Sequence, residues 1–288
     1  MSPDVWMLII FGICLLIGMP VAFALGLGGA AGIVLGLSPD MLATLGSNTY
    51  NSIAKYPLIA IPLFILTGII FERAGVAASL VKFAQSLIGR RHGGLALVAV
   101  LVCLIMGGMS GSGPADAAAV ATVMLPSMTK AGYPRPFSAS LIAAASSTAI
   151  LIPPSIALIL YSVMMPGVDL RALFAAGLFP GILAGCSLLV PAYFLAKKNN
   201  WENPQEDEEH RPSIRKSFIE ALPALFAPVL ILGGLRSGLF TPTEAAVVAV
   251  TYGLLIGSLV YRQLTWSGLV DMFVEATKIS GIVLLIIS

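Results

Sequence analysis

Residues 107–114 read Gly-Gly-Met-Ser-Gly-Ser-Gly-Pro and interrupt a long apolar run. His92–Met106 before them is almost wholly aliphatic, and Ala115–Met128 after them is small and aliphatic with one acid, Asp116. The tip carries no Lys or Arg. Each flank is about 15 to 17 residues, roughly 25 Å as helix, which falls short of a ~30 Å hydrocarbon core. The pattern predicts a helical hairpin that enters and leaves on one side, with a Ser/Gly tip inside the membrane. Non-helical backbone is tolerated at that depth only where protein or a polar cavity surrounds it. In transporters such places bind ions and substrates. Two tilted spans joined by a small-residue turn are the alternative.

Composition sets the class. Of the 288 residues, 58% are hydrophobic and 10% charged, against about 25% charged in soluble domains. Apolar runs recur along the whole chain, so the expectation is an all-α integral membrane protein rather than a soluble domain with one anchor. Cys14, Cys103 and Cys186 all sit in apolar runs, and their spacing suits buried small residues rather than a metal site or disulfides. His92 and His210 both stand beside charged loops. Neither a His-based metal centre nor a Ser-His-Asp arrangement has much to draw on. No GxxxxGK[ST] phosphate loop occurs, so ATP is not this chain's energy source. Nothing points to a cofactor, to enzymatic activity or to nucleic acid.

The apolar runs predict spans at 5–18 and 20–37, divided by Gly18-Met19-Pro20, and a third at 50–71 with Pro57 and Pro62 near its start. In 76–91, Val76, Leu80, Phe83, Leu87 and Ile88 share one face at helical spacing, which reads as an amphipathic arm helix in the interface. The hairpin occupies 93–130. A broken helix over 136–165 is interrupted at Ile152-Pro153-Pro154-Ser155, and a span follows at 171–197. Residues 198–216, with Glu206-Asp207-Glu208-Glu209, read as a solvated loop. Further spans are expected at 218–235 and 244–261, and one begins near Ile279. Trp6, Trp201 and Trp266 stand at span edges and mark interfaces.

Basic residues orient this arrangement. With the N-terminus outside and the hairpin returning to its own side, the inner segments hold Arg73, Lys82, Arg90, Arg91, Lys130, Arg135, Lys197, Lys198, Arg211, Arg215, Lys216, Arg262 and Lys278. These are 13 of the 16 basic residues, a strong bias under the positive-inside rule. A hairpin that crossed as a single span would put the later basic loops outside.

The order of elements also suggests an inverted repeat. Met19-Pro20-Val21-Ala22 and Thr241-Pro242-Thr243-Glu244 each open the second helix of a series. The first series, 1–75, reads as scaffold, followed by the arm at 76–91 and a transport half at 92–197. The second series starts over 217–288.

Three segments in register resemble one family, the large membrane subunit of tripartite ATP-independent periplasmic (TRAP) transporters. They are Ser110-Gly111-Ser112-Gly113-Pro114-Ala115-Asp116-Ala117-Ala118-Ala119, Ile150-Leu151-Ile152-Pro153-Pro154-Ser155-Ile156, and Gly238-Leu239-Phe240-Thr241-Pro242-Thr243-Glu244-Ala245-Ala246. Pro62-Leu63-Phe64-Ile65-Leu66 is also similar. The resemblance implies a multi-pass protein of the bacterial inner membrane and a sodium-driven, elevator-type importer of small carboxylates. It further implies two partners, a small four-span membrane subunit and a periplasmic substrate-binding protein. The family's large subunit is longer, so on this reading the second repeat is incomplete, with its hairpin and broken helix expected after Ser288. Where the family usually has Gly, four residues before the first Pro of the Ile-Pro-Pro-Ser segment, this chain has Ala149. Alanine serves there if the residue contributes only a carbonyl and its φ is negative.

Candidate roles follow. Sodium is a hard cation that suits hydroxyl and carbonyl oxygens. Ser110 and Ser112 offer hydroxyls at the tip, although small residues also let helices approach. Pro153 and Pro154 cannot donate backbone hydrogen bonds, so carbonyls at Ala149, Ile152 and Pro154 are candidates; a plain structural kink is the alternative. Gly111, Gly113, Asp116, Ser147 and Thr148 are candidates for substrate or coupling. The helix starting at Pro114 points its positive end at the tip, which favours an anionic group. An acid inside a membrane segment is a functional candidate, but in a first helical turn Asp116 also suits capping and tip ordering. Glu244 reads chiefly as a cap. The leading function is the membrane subunit of a sodium-driven importer. A self-sufficient sodium/carboxylate symporter and a non-transporting scaffold are the alternatives. An enzyme acting on lipid-linked substrates needs clustered acids or histidines near one interface, and none are present.

Overall fold

The computed structural model describes residues 2–89, 93–165, 167–202 and 213–288. Among these residues all regular structure is helical. Two compact units are formed, one by Met1–Leu58 with Thr277–Ser288, the other by Ile59–Ala276.

In the first unit, helices α1 (Pro3–Leu16) and α2 (Val21–Gly36) are joined through Gly18 in a left-handed conformation, φ +87°. Gly28, Gly32 and Gly36 recur every fourth residue along α2, and a Cβ on them would meet Met7, Met7 and Pro3 of α1. Small residues at this spacing let the two backbones approach. Helix α3 (Ala43–Ile53) follows. The expected third span, 50–71, is therefore divided. The α-helix stops at Ile53, a 3₁₀ turn covers Tyr56–Ile59, and α4 runs Ala60–Arg73. Pro57 accounts for the break, because it lacks an N–H for the Ile53 carbonyl and disfavours helical backbone in the residue before it.

The second unit is built around α4, ten of whose 14 residues are buried. Gly253 of α12 (Pro242–Leu255) lies against Ile70, and Gly68 lies against Ser110. The arm helix α5 (Val76–Ile88) starts from Gly75, φ +76°, and buries Val76, Ala77, Leu80, Val81 and Ala84. Leu87, expected on the same apolar face, is 52% exposed. Arg90, Arg91 and His92 lie outside the described residues.

Helices α6 (Gly94–Ser110) and α7 (Gly113–Lys130) form the expected hairpin around a two-residue turn. Helices α8 (Arg135–Ala149) and α9 (Ile156–Met164) are the two halves of the expected broken helix. Helix α10 (Leu170–Lys198) is capped by Asp169, whose carboxylate accepts from the Arg171 and Ala172 N–H groups. Its most apolar stretch is only 17% buried. This explains a correction: Cys14 and Cys103 are buried as expected, but Cys186, on α10, is exposed. In a membrane chain an apolar residue can face lipid rather than the protein core.

After α11 (Ile214–Arg236), Thr241 and Glu244 form a reciprocal capping box on α12. Such a cap stabilises by about 1 kcal/mol, in agreement with the capping reading of Glu244. A π turn over Ile256–Val260 ends that helix. The last helix, α13, begins at Trp266 rather than near Ile279 and runs to Ile287. Asp271, Glu275 and Lys278 break the apolar run there without breaking the helix. An ion pair between Arg73 and Glu275 ties α4 to α13. Among the described residues, four segments are long and apolar enough to cross a membrane: Tyr56–Arg73, Leu170–Lys198, Ile214–Arg236 and Pro242–Val260.

The base of the hairpin is tied down at both ends by Glu202. Its carboxylate accepts from the Leu95 N–H (3.0 Å) and the Tyr133 hydroxyl (2.9 Å), and its own N–H donates to the Ala131 carbonyl (2.9 Å). Trp201 packs on Tyr133 and Phe137 beside it. Burial, then the charge of Glu202, pushes the Tyr133 phenol well above its ordinary value. The acidic run Glu206–Glu209, with His210 and Arg211, lies outside the described residues.

Candidate functional site at the hairpin tip

Helix α10 gauges how far the hairpin reaches. Gly93, at the base, lies against Tyr193 and Ala196; Gly185 lies against Leu104; Gly181 lies against Ile152, which in turn touches Gly108 near the tip. From Gly181 back to Leu170, α10 continues for roughly 16 Å beyond that level. The tip therefore stops part-way along its neighbour.

Four glycines seat the tip on the break in the α8–α9 helix. A Cβ on Gly107 would meet the Ala149 side chain at 2.4 Å and its carbonyl at 2.8 Å. On Gly111 it would meet the Pro154 carbonyl at 2.4 Å, and on Gly113 the Ser146 carbonyl at 2.9 Å. Gly108 is less confined, with its nearest neighbour at 3.5 Å. Gly111 also has φ +64°, a conformation that glycine adopts without strain. Thus Ser110–Gly113 and Ala149–Pro154 are brought together, as the sequence motifs anticipate.

The break itself follows from two consecutive prolines. In a continuous helix Pro153 and Pro154 would have to donate to the Ala149 and Ile150 carbonyls, and neither can. The Ala149 carbonyl instead accepts from the Ile152 N–H at 2.9 Å, leaving one lone pair. Ala149 is the last residue of α8 and has negative φ, so alanine is accommodated without backbone strain. Ser155 then starts α9, its hydroxyl accepting from the Leu158 N–H at 3.4 Å.

Ser110 and Asp116 close the tip. The Ser110 hydroxyl donates to Asp116 Oδ1 at 2.6 Å and accepts from the Ser112 N–H at 3.1 Å. Both side chains are buried, and Asp116 Oδ2 has no hydrogen-bond partner among the described residues. The acid orders the tip through Ser110; it does not cap its own helix, whose N-cap, Ser112, makes no side-chain bond. The Gly113 and Ala115 N–H groups at the start of α7 therefore lack a helical partner. The start of α9 is also close, the Ile156 nitrogen lying 3.3 Å from where a Gly111 Cβ would be. Two positive helix ends thus meet at one uncharged loop.

The remaining candidates are placed differently. Ser147 is exposed and Thr148 partly buried, and their hydroxyls donate to Ala143 and Ala145 of their own helix. Ser146, not among the candidates read from the sequence, faces the hairpin and donates to Cys103 Sγ at 3.3 Å. Helical spacing holds the signal: Ser146 shares a face with Leu141, Ile142, Ala145 and Ala149, all buried. Thr67, buried on α4 beside Gly68, turns its hydroxyl onto the Leu63 carbonyl of its own helix at 2.8 Å.

Residues 8–288 match the family model described as the DctM component of the tripartite ATP-independent periplasmic transporter. The chain is 38% identical over 284 residues to the 2,3-diketo-L-gulonate TRAP transporter large permease protein YiaN of Escherichia coli, covering 97% of this chain and 66% of that protein. It is 36% identical over 280 residues to the isethionate TRAP transporter permease protein DctMQ of Oleidesulfovibrio alaskensis, covering 96% and 43%. With the C4-dicarboxylate TRAP transporter large permease protein DctM of Pseudomonas aeruginosa the identity is 38% over 268 residues, covering 92% and 61%. The chain thus spans between 43% and 66% of the length of these relatives. It belongs to the large-permease family of tripartite ATP-independent periplasmic transporters, a family of the inner membrane.

Proposed function

We propose that this chain is part of a sodium-driven secondary importer that moves a small carboxylate delivered by a periplasmic binding protein, together with a small four-span membrane subunit. The observation that carries this reading is the seating of an uncharged Ser/Gly tip on an unwound, proline-broken helix, with two helix N-termini converging there. Free carbonyls and hydroxyls suit a hard cation, and positive helix ends suit an acid group. The relatives named above bear the names of anionic substrates, C4-dicarboxylate and isethionate among them.

In this reading sodium is held by the hydroxyls of Ser110 and Ser112 and by carbonyls of Ala149, Ile152 and Pro154. Gly111, Gly113 and Asp116 shape the substrate side of the tip, while Ser147 and Thr148, turned onto their own helix and away from the hairpin, are left without a direct role there. Residues 92–197 form the moving half, and 76–91 form the arm. Residues 1–75 serve as scaffold of the first repeat and 217–288 begin the second, in an inverted-repeat, elevator-type arrangement. The hairpin is re-entrant: its helices of 17 and 18 residues reach roughly 25 Å, and its base lies at the inner face.

The test is uptake in proteoliposomes holding the natural full-length large subunit and the small subunit, with the binding protein outside and a labelled C4-dicarboxylate as probe. An inward sodium gradient is expected to drive accumulation, and an equal potassium gradient is not. Equal uptake under both gradients would remove sodium coupling. Sodium-driven uptake without the binding protein would favour the self-sufficient symporter.

A further inference from the structure

At the opposite end of the hairpin from the tip, α7 and α8 form an open cleft of about 680 Å³ lined by Leu125, Pro126, Thr129, Lys130, Arg135 and Ala139. We infer that this cleft holds the headgroup of an anionic phospholipid. Its cations stand on either side of the turn between the helices, Lys130 in the last turn of α7 and Arg135 at the first residue of α8. Both are exposed, and neither is in an ion pair among the described residues, where the pair found is Arg73–Glu275. Glu202, the acid at the hairpin base, has its carboxylate engaged by Leu95 and Tyr133.

The start of α8 adds to the positive field. Its N-cap, Pro134, makes no side-chain bond, so the Arg135 and Phe137 N–H groups have no helical acceptor. The floor differs in character. Leu125, Pro126 and Ala139 are apolar, and the Thr129 hydroxyl is turned onto the Leu125 carbonyl at 2.7 Å. A cationic rim over an apolar floor matches a phosphodiester with the first segments of its acyl chains. Free phosphate gains nothing from the floor, because it has no apolar surface to remove from water. Lys197 and Lys198 lie at the same end, so the cleft sits where basic residues gather and where anionic lipid is attracted.

The test titrates the natural full-length protein in neutral detergent with phosphatidylglycerol, phosphatidylcholine and inorganic phosphate. Thermal stabilisation gives apparent affinity, and native mass spectrometry counts retained lipids. Phosphatidylglycerol alone is expected to stabilise. Each cation removed in Lys130→Gln and Arg135→Gln is expected to weaken it roughly fivefold, the equivalent of about 1 kcal/mol per basic residue. Leu125→Trp, which fills the floor and keeps both cations, is expected to weaken phosphatidylglycerol as well. Lys82→Gln, an exposed cation on α5, is the control and is expected to change nothing. If Arg135→Gln cannot be purified, the Lys130→Gln and Leu125→Trp titrations decide. Unchanged phosphatidylglycerol affinity in the cleft variants would overturn the proposal, as would stabilisation by phosphate equal to that by lipid.

Discussion

Gly111→Ala is expected to lower stability by about 2 to 5 kcal/mol, the largest loss for any single methyl added in the hairpin. Two costs combine. A left-handed residue with a Cβ loses about 1 to 2 kcal/mol. The new Cβ also lies 2.4 Å from the Pro154 carbonyl oxygen, a backbone atom with no rotamer to change, and overpacking of this kind costs about 1 to 3 kcal/mol. Gly108→Ala is the matched control, one turn away with its nearest contact at 3.5 Å. Thermal unfolding in detergent should show a clear fall in Tm for Gly111→Ala and a change near zero for Gly108→Ala. Equal Tm values for the two would mean that the tip is not seated on the break.

The second large effect belongs to Ser110→Ala. The Ser110 hydroxyl bridges the Ser112 N–H and Asp116 Oδ1, while Asp116 Oδ2 already lacks a partner among the described residues. Removing the hydroxyl leaves a buried carboxyl group without a hydrogen bond on either oxygen. The expected cost is about 1 to 3 kcal/mol. Asp116→Asn introduced into Ser110→Ala should restore part of the loss, because an amide is easier to bury unpaired than a carboxylate. The cycle of two single variants and one double variant measures the coupling, expected at about 1 to 3 kcal/mol. Strict additivity would show that the two side chains act independently.

Much of this geometry was legible in the sequence because membrane segments are punctuated by residues with one physical reason to be there. Gly18-Met19-Pro20 marks the turn between α1 and α2, and the Gly/Ser run at 107–114 marks the hairpin tip. Pro153-Pro154 marks the interruption of α8–α9. What was not legible came from reading apolarity as length or as burial. The run 50–71 reads as one span despite Asn51, Ser52 and Lys55 near its start, yet Pro57 divides it. Helix α13 is interrupted by charges in hydropathy, yet it is continuous from Trp266. Cys186 is apolar in setting and still exposed. At the site, the adjacent residues Ser146, Ser147 and Thr148 look equivalent in composition. Only the 100° step between successive helical residues separates the one that faces the hairpin from the two that do not.

The Ser110–Asp116 bond bears on how the tip would bind an ion. Ser110 already donates one hydrogen bond and accepts another, so its oxygen has a single lone pair left. Ser112 has no side-chain bond at its N-cap position and keeps its hydroxyl free to turn. Of the two serines, Ser112 is the one whose loss should affect sodium without first dismantling the tip.

Sodium titration of thermal stability, in the natural full-length protein and in Ser112→Ala, tests the central claim most directly. Tm should rise with sodium and not with choline at equal ionic strength. Ser112→Ala should shift the sodium midpoint upward by about five- to a hundredfold, as expected for one oxygen lost from a dry site at about 1 to 3 kcal/mol. A sodium midpoint unchanged by Ser112→Ala, with the wild-type response intact, would place the ion elsewhere and leave the hairpin tip a packing contact.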